Sequence, residues 1–426
     1  MNMQPPRGTR DFMPADMIRR EYIFQTVKKV FEQFGFDPLE TPAFESWELL
    51  SKKGVGGDEV KDEIYYFKDK SDRELGLRFD LTASLARVIA SNPQLPKPFK
   101  RYQIGRVWRY DRPQAGRFRE FWQADVDVVG SSQMDADVEC LAAAVKALES
   151  LGFKNFIIRL NNRKILDSLI KASGIRKNEF DVFRSLDKLE KIGEADVVKE
   201  LVSKGVSKKE CDSLLNMMEI KGSPEDVLKR GRKLCKSEGF DELEQMVSLS
   251  KQYGIDKYIV IDFSLVRGLD YYTGPIFEVF VKEFANLGSI TAGGRYDNLV
   301  KNYGGRDTPA TGISLGIERI YEIMESRNMF KLPKTVTDVF VVAVSDDVRK
   351  DVIKITSKLR AAGVKSELDL NNRNFKKQLE YADALGINYV LIIGEKELKS
   401  KKFPLKDMKK RAQKEVDLDD VIKKLS

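Results

Sequence analysis

Along residues 15–34, ADMIRREYIFQTVKKVFEQF, apolar side chains recur at Ile18, Tyr22, Val27, Val30, Phe31 and Phe34, the spacing of one helix face. Gly35 ends that helix, and GFDPLETPAFE follows as an extended segment in which Pro42 suits an edge or interface strand. After LGLRFDLT, the stretch SLARVIA predicts a second helix, closed by a proline-rich break at 93–98. Alternation then takes over. KRYQIGRVWRY at 100–110 and RFREFWQADVDVV at 117–129 flank DRPQAG and predict a long antiparallel hairpin. With a period of two, Arg117, Arg119, Phe121, Gln123, Asp125 and Asp127 share one face of its second strand, while Phe118, Glu120, Trp122, Ala124, Val126 and Val128 share the other.

Residues 164–254 change character: rich in Lys, Glu, Asp, Ser and Leu, poor in aromatics and punctuated by single glycines, they predict a helical module inserted into the main domain. Strand patterning resumes at KYIVIDFSLV, continues through PIFEVFVKEF and SITAGGRYD, and ends with TGISLG running into helix IERIYEIMES. ESRNMFKLPKT reads as a linker. Beyond it VFVVAV, a helix at 346–362, VKSELDL, a helix near 374–386 and YVLIIG alternate strand with helix, the signature of a small α/β domain with parallel strands. The domain expectation is therefore a core in two parts, 1–163 and 255–325, an insertion at 164–254, a linker at 326–335 and a C-terminal domain at 336–426. No internal repeat interrupts this order.

Composition narrows the chemistry. The 426 residues are 42% apolar and 33% charged, as in a soluble globular protein, and no apolar run approaches the roughly 20 residues of a membrane helix. Three cysteines, Cys140, Cys211 and Cys235, form no CxxC pair; they suggest small apolar fillers in a reducing cytoplasm. The chain contains no histidine, which excludes Ser-His-Asp triads, HExxH zinc sites and imidazole general bases. Of the net charge of +8, residues 331–426 carry +7, with 22 Lys and Arg against 15 Asp and Glu. A polyanion-binding face and a merely solvated lysine-rich surface account for that excess equally well.

Several stretches could carry chemistry. On the hairpin's polar face arginines and carboxylates surround Phe121, with Arg109 at the end of the partner strand. Arginines pair bidentately with phosphate and carboxylate, and a phenyl face stacks on a base, although an ordinary solvent face is also polar. GISLGIERI places Arg319 one turn into a helix that follows a strand, where anions are favoured; such a junction is also commonly just a tight turn. In LVRGLDYYTGPIFEVF, Arg267 and Asp270 are costly to bury unless paired. No GxxxxGK[ST] phosphate loop occurs.

RFDLT at 78–82, VWRYDRPQAGRFREFWQADVD at 107–127, LVRGLDYYTGPIFE at 265–278, AGGRYD at 292–297 and GISLGIERI at 312–320 together resemble the histidyl-tRNA synthetases, in their archaeal or eukaryotic form. The resemblance spans the whole chain. GLDYYTG is specific to that family, whereas the arginine motifs belong to class II synthetases generally. It implies an α+β catalytic domain on an antiparallel class II sheet, a helical insertion and a C-terminal α/β anticodon-binding domain. It also implies a cytoplasmic homodimer packed partly around Pro42, with ATP (with Mg²⁺), L-histidine and tRNA(His) as partners and no membrane. Arg109 would hold the ATP α-phosphate and the substrate carboxylate, Phe121 would stack on adenine, and Asp111 would join the ATP site. Arg117 and Arg319 would take the outer phosphates with Mg²⁺, for which no protein ligand is assigned. Asp80, Thr82 and Gln123 would receive the amino group of histidine, and Asp127 and Tyr272, with Tyr271 nearby, the two imidazole nitrogens. Arg267 would act catalytically beside Arg109 at the α-phosphate, with Asp270 holding its loop. Arg112, Gln114 and Arg119 would face the tRNA acceptor end.

Two other readings start from the same resemblance. One is a histidine-sensing regulatory subunit of ATP phosphoribosyltransferase, a paralogue class that lacks the C-terminal domain and has eroded ATP motifs; here Arg109, Arg117, Arg267 and Arg319 are all present. The other is a tRNA-binding sensor module of a kinase, against which stands the absence of any kinase motif set.

Overall fold

The computed structural model describes residues 3–51, 63–110, 117–176, 179–267 and 271–425. Two compact units result, one comprising the chain up to Arg10 with Ile23–Met329, the other Asp11–Tyr22 with Phe330–Ser426. The predicted first helix spans Pro14–Gln33, and Ile23, Val27, Val30 and Phe31 are buried on its inner face.

In the larger unit the strands are β1 Asp37–Pro38, β2 Phe44–Ser46, β3 Tyr66–Lys68, β4 Glu74–Leu77, β5 Phe99–Trp108, β6 Glu120–Val129, β7 Phe156–Asn162, β8 Ile259–Ile261, β9 Pro275–Val281, β10 Thr291–Arg295 and β11 Ala310–Gly316. Eight of them form one sheet in the order β1-β5-β6-β11-β10-β9-β7-β8; β2, β4 and β3 make a small second sheet. The large sheet is antiparallel except where β1 runs with β5 and β7 with β8. The expected hairpin is β5–β6, with Arg101 opposite Asp127 and Gln103 opposite Asp125.

Behind β6, β10 and β11 lies helix Met134–Ser150, whose run LAAAV is buried throughout. Small residues there let the helix sit close to the sheet. Its register is tied by Arg295 of AGGRYD, which donates to the carbonyls of Ser131 and Gln133 at 2.9 and 3.1 Å and pairs with the buried Asp137. Arg78 of RFDLT is likewise structural, donating to the carbonyls of Thr41 at 2.6 Å and Arg106 at 2.8 Å. Between β7 and β8 the chain is helical from Arg163–Ala172 to Gly239–Gln252.

Two expectations change. KYIVIDFSLV contributes only Ile259–Ile261 to the sheet, because the next residue leaves the ladder: Asp262 accepts from Arg159 at 2.8 Å and from the Ser264 amide at 3.1 Å, an Asx turn. The C-terminal unit is mixed rather than parallel. There β12 Val339–Ala343, β13 Ser366–Leu368, β14 Tyr389–Ile393, β15 Phe403–Asp407 and β16 Ala412–Val416 form one sheet in the order β13-β12-β14-β15-β16. The first three are parallel, and β15 and β16 continue as an antiparallel hairpin. VFVVA reads as a continuous apolar run because both its faces are covered: Val339 and Val341 pack with Leu359 and Val352, Phe340 and Val342 with Ala382 and Ile387.

Candidate active site

Alternation along β6 decides what faces the open side of the large sheet. Ala124, Val126 and Val128 go to the buried core, while Phe121, Gln123, Asp125 and Asp127 line a cavity of about 460 Å³. Glycines make room for it. A Cβ on Gly312 would stand 2.0 Å from Asp127 Oδ1, and one on Gly293 would stand 2.1 Å from the Gly312 carbonyl, so AGGRYD and TGISLG carry glycine where β10, β11 and the cavity floor meet.

One end of the cavity is cationic. Arg109, Arg117, Arg267 and Arg319 all line it. Arg109 is held by its Nε, which donates to the Phe79 carbonyl at 3.0 Å, and its guanidinium stands 5.2 Å from the Phe121 ring centroid. Arg267 reaches Glu278 through Nε at 3.0 Å and lies 3.9 Å from Asp187. Arg319, third in helix Ile317–Ser326, donates to the Ser289 carbonyl. Burial, with the neighbouring charges of Arg267 and Arg117, pushes it below the usual arginine value. Four guanidiniums held together against their repulsion define an anion site.

The other end is acidic. Asp80 Oδ1 accepts from the amides of Thr82 and Ala83 at 3.1 and 2.9 Å, which fixes the start of helix Thr82–Ser91 and brings Thr82 to the cavity; burial raises the carboxyl above its ordinary value. Gln123 Nε2 donates to Ser314 at 2.6 Å. Asp127, 2% exposed, accepts from the Tyr296 hydroxyl and lies 2.7 Å from the fully buried Arg101 guanidinium, while burial pushes its carboxyl up. Tyr271 and Tyr272 stand over this end with ring centroids 4.3 Å apart.

Of the described candidates, Asp80, Thr82, Arg109, Arg117, Phe121, Gln123, Asp127, Arg267, Tyr271, Tyr272 and Arg319 thus meet in one cavity. Arg119 does not. The backbone bends at residue 119 before β6 begins, so the alternation restarts: Phe118 lines the cavity in its place, and the Arg119 guanidinium lies 4.2 Å from the Tyr110 ring. Asp111, Arg112, Gln114 and Asp270 fall outside the described residues. Sequence reasoning missed Asp125, Arg101, Tyr296, Glu278 and Lys191. Asp125 lies on the hairpin's polar face, and Glu278 is a lone charge inside PIFEVFV; nothing in the helical stretch marks Lys191.

A family model described as "Histidyl-tRNA synthetase" matches residues 8–320, and one described as "Anticodon binding domain" matches residues 338–426. A histidine–tRNA ligase of Pyrococcus abyssi is 38% identical over 424 residues, covering 98% of this chain and 97% of that protein. One of Aeropyrum pernix is 42% identical over 402 residues, covering 92% and 91%. The crystal structure of histidyl-tRNA synthetase from Nostoc aligns with a TM-score of 0.86 at 33% identity, covering 100% of this chain and 99% of that one.

Proposed function

The chain belongs to the histidyl-tRNA synthetase family, and we propose that its cavity performs the reaction of a histidine–tRNA ligase: ATP and L-histidine give histidyl-adenylate and pyrophosphate, and tRNA(His) then takes the histidyl group, releasing AMP. The observation that carries this reading is the polarity of the cavity, four arginines at one end and carboxylates with tyrosines at the other. A nucleotide's phosphates fit the first, and a cationic amino acid with a donor-rich ring fits the second. A histidine-sensing subunit has no use for the arginine set.

In the first step the carboxylate of histidine attacks the α-phosphorus and pyrophosphate leaves. No protein base is needed, which suits a chain without histidine. Arg109, anchored at the Phe79 carbonyl, aligns nucleophile and α-phosphate, and Arg267 neutralises the charge that develops there. Arg117 and Arg319 receive the departing phosphates, and Phe121 offers its ring to adenine. ATP would bring Mg²⁺, which would offset the charge of the outer phosphates beside Arg117 and Arg319. Asp80, Thr82 and Gln123 seat the ammonium group, and Asp127 and Tyr272 meet the imidazole. In the second step the terminal ribose hydroxyl of tRNA attacks the carbonyl carbon of the adenylate.

Pyrophosphate exchange into ATP, measured with each amino acid in turn, tests the reading. Histidine alone should support it; exchange with another amino acid, or with none, would overturn the assignment. A further expectation concerns Gly312→Ala. Its methyl must displace Asp127, so the KM for histidine should rise roughly tenfold or more, the scale of a lost charged hydrogen bond, while that for ATP is unchanged. An unaltered histidine KM would remove Asp127 from the imidazole.

The active form is a homodimer in the cytoplasm. Phe44, Tyr66 and Phe67, on the small sheet beside the exposed Pro42, are 37–50% exposed, a cluster of aromatics that a second copy would cover. The cysteines are unpaired, and among the described residues no helix is long and apolar enough to cross a membrane.

A further inference from the structure

The amino-acid end of the cavity holds a carboxylate that none of these roles uses. Asp125, 4% exposed, sits between Gln123 and Asp127 on the cavity side of β6, opposite Gln103 of β5 and Ser314 of β11. Its Oδ1 is buried without a hydrogen-bond partner, and so is Gln123 Oε1 two residues away. Buried acceptors are almost always satisfied, so an orphan on a cavity wall marks the place of a ligand's donor.

The charges around it say what kind of donor. Arg101 on β5, Ser314 on β11, Asp127 on its own strand and Asp80 ahead of helix Thr82–Ser91 face Asp125, and Tyr271 lies within reach of both Asp80 and Asp125. Arg101 is engaged with Asp127, and Arg109 acts on Asp80 from the phosphate end. Arg78 also acts on Asp125 but is spent on the Thr41 and Arg106 carbonyls, so three carboxylates face two committed guanidiniums at this end, and a full positive charge is what the pocket lacks.

We propose that Asp125 is a binding residue for the substrate amino acid, its carboxylate taking the α-ammonium group beside Asp80, Thr82 and Gln123. The assignment rests on the histidine reading of the cavity. An ammonium brings three N–H donors and the missing charge. Burial, reinforced by Asp127 and Asp80 and opposed by Arg101 and Ser314, holds the free carboxyl up to about 7. Below that pH the group must give up its proton to solvent before it can receive the ammonium, so binding in that range releases one proton.

Asp125→Asn keeps size and shape and removes the charge. In pyrophosphate exchange at pH 7.5 it should raise the KM for histidine by roughly 10–100-fold, the scale of a charge-assisted hydrogen bond, and leave that for ATP within about twofold. The ratio of wild-type to variant histidine affinity, in which the substrate's own imidazole titration cancels, should fall as pH drops below about 7, approaching tenfold per unit. Imidazolepropionate, which lacks the ammonium, should bind both proteins alike. On the wild type alone, calorimetry at pH 6 in buffers of different ionisation enthalpy should show nearly one more proton released by histidine than by imidazolepropionate. An unchanged histidine KM, equal weakening of both ligands, or no extra proton would each overturn the assignment. Failure of the wild type to exchange with histidine overturns the functional reading too, whereas normal wild-type exchange with an indifferent variant overturns this assignment alone.

Discussion

Arg267→Ala is expected to lower histidyl-adenylate formation by roughly two to three orders of magnitude, the effect of removing one donor aimed at developing charge. The geometry explains why a single side chain carries that much. Glu278, 3% exposed on β9, holds the guanidinium Nε at 3.0 Å and is itself fixed by Ser289 at 2.9 Å. Burial pushes Glu278 up while Arg267 opposes this, so the pair is mutually dependent. Arg267 is therefore pre-positioned before substrate arrives. The alanine variant should lose turnover with little change in ATP binding, because Arg109, Arg117 and Arg319 still hold the phosphates. Lys, which keeps the charge and loses the fork that spans Glu278 and phosphate, should recover only part of the rate. Single-turnover adenylate formation with thermal unfolding measured in parallel separates chemistry from folding. A near-normal rate in a folded Arg267→Ala protein would remove the residue from the catalytic role.

What the chain displays in its order of residues is the periodic part of this site. The β5–β6 hairpin and the cavity face of β6 follow from alternation, and the approach of Arg319 follows from a strand running into a helix. Pairing does not. With six residues between the strand-like segments, the register of β5 on β6 is open by one position, and a slip of one would send Arg101 to the opposite face from Asp127. That is why the buried pair was invisible while both its members were in view. Arg119 leaves the face it shares with Arg117 and Phe121 for a related reason: alternation holds only while the strand is regular, and the bend at that residue resets it. The C-terminal hairpin leaves no pattern in the sequence because β16, AQKEV, is solvent-facing along almost its whole length, with no apolar alternation to read. Partners distant in sequence, such as Glu278 for Arg267 or Asp137 for Arg295, exist only once the sheet has formed.

That same hairpin concentrates the basic excess of the C-terminal end, and neutralising it should cost tRNA affinity heavily. Lys409, Lys410, Arg411 and Lys414 lie exposed on β16 and the turn before it, Lys401 lies exposed just ahead of β15, and among the described residues none has a carboxylate within an ion-pair distance. The turn itself is rigid, with Asp407 accepting from the amides of Lys409 and Lys410 at 3.1 and 2.9 Å, so the charges are presented together. Each phosphate neutralised contributes about 0.7–0.9 to the salt slope, which near 0.15 M salt corresponds to roughly four- to fivefold in affinity. Changing all five to glutamine should therefore weaken tRNA(His) binding by roughly three orders of magnitude or slightly more and flatten the salt dependence by about 3.5 to 4.5. Cutting the chain at Met329 would be a poorer test, since Asp11–Tyr22 group with Phe330–Ser426 and would lose their unit. The substituted full-length protein keeps both units, and its pyrophosphate exchange should stay normal, because every residue assigned to adenylation precedes Phe330. Unchanged affinity and salt slope would show that the basic end is only a solvated surface; exchange that falls in step with tRNA binding would mean the hairpin acts on adenylation as well.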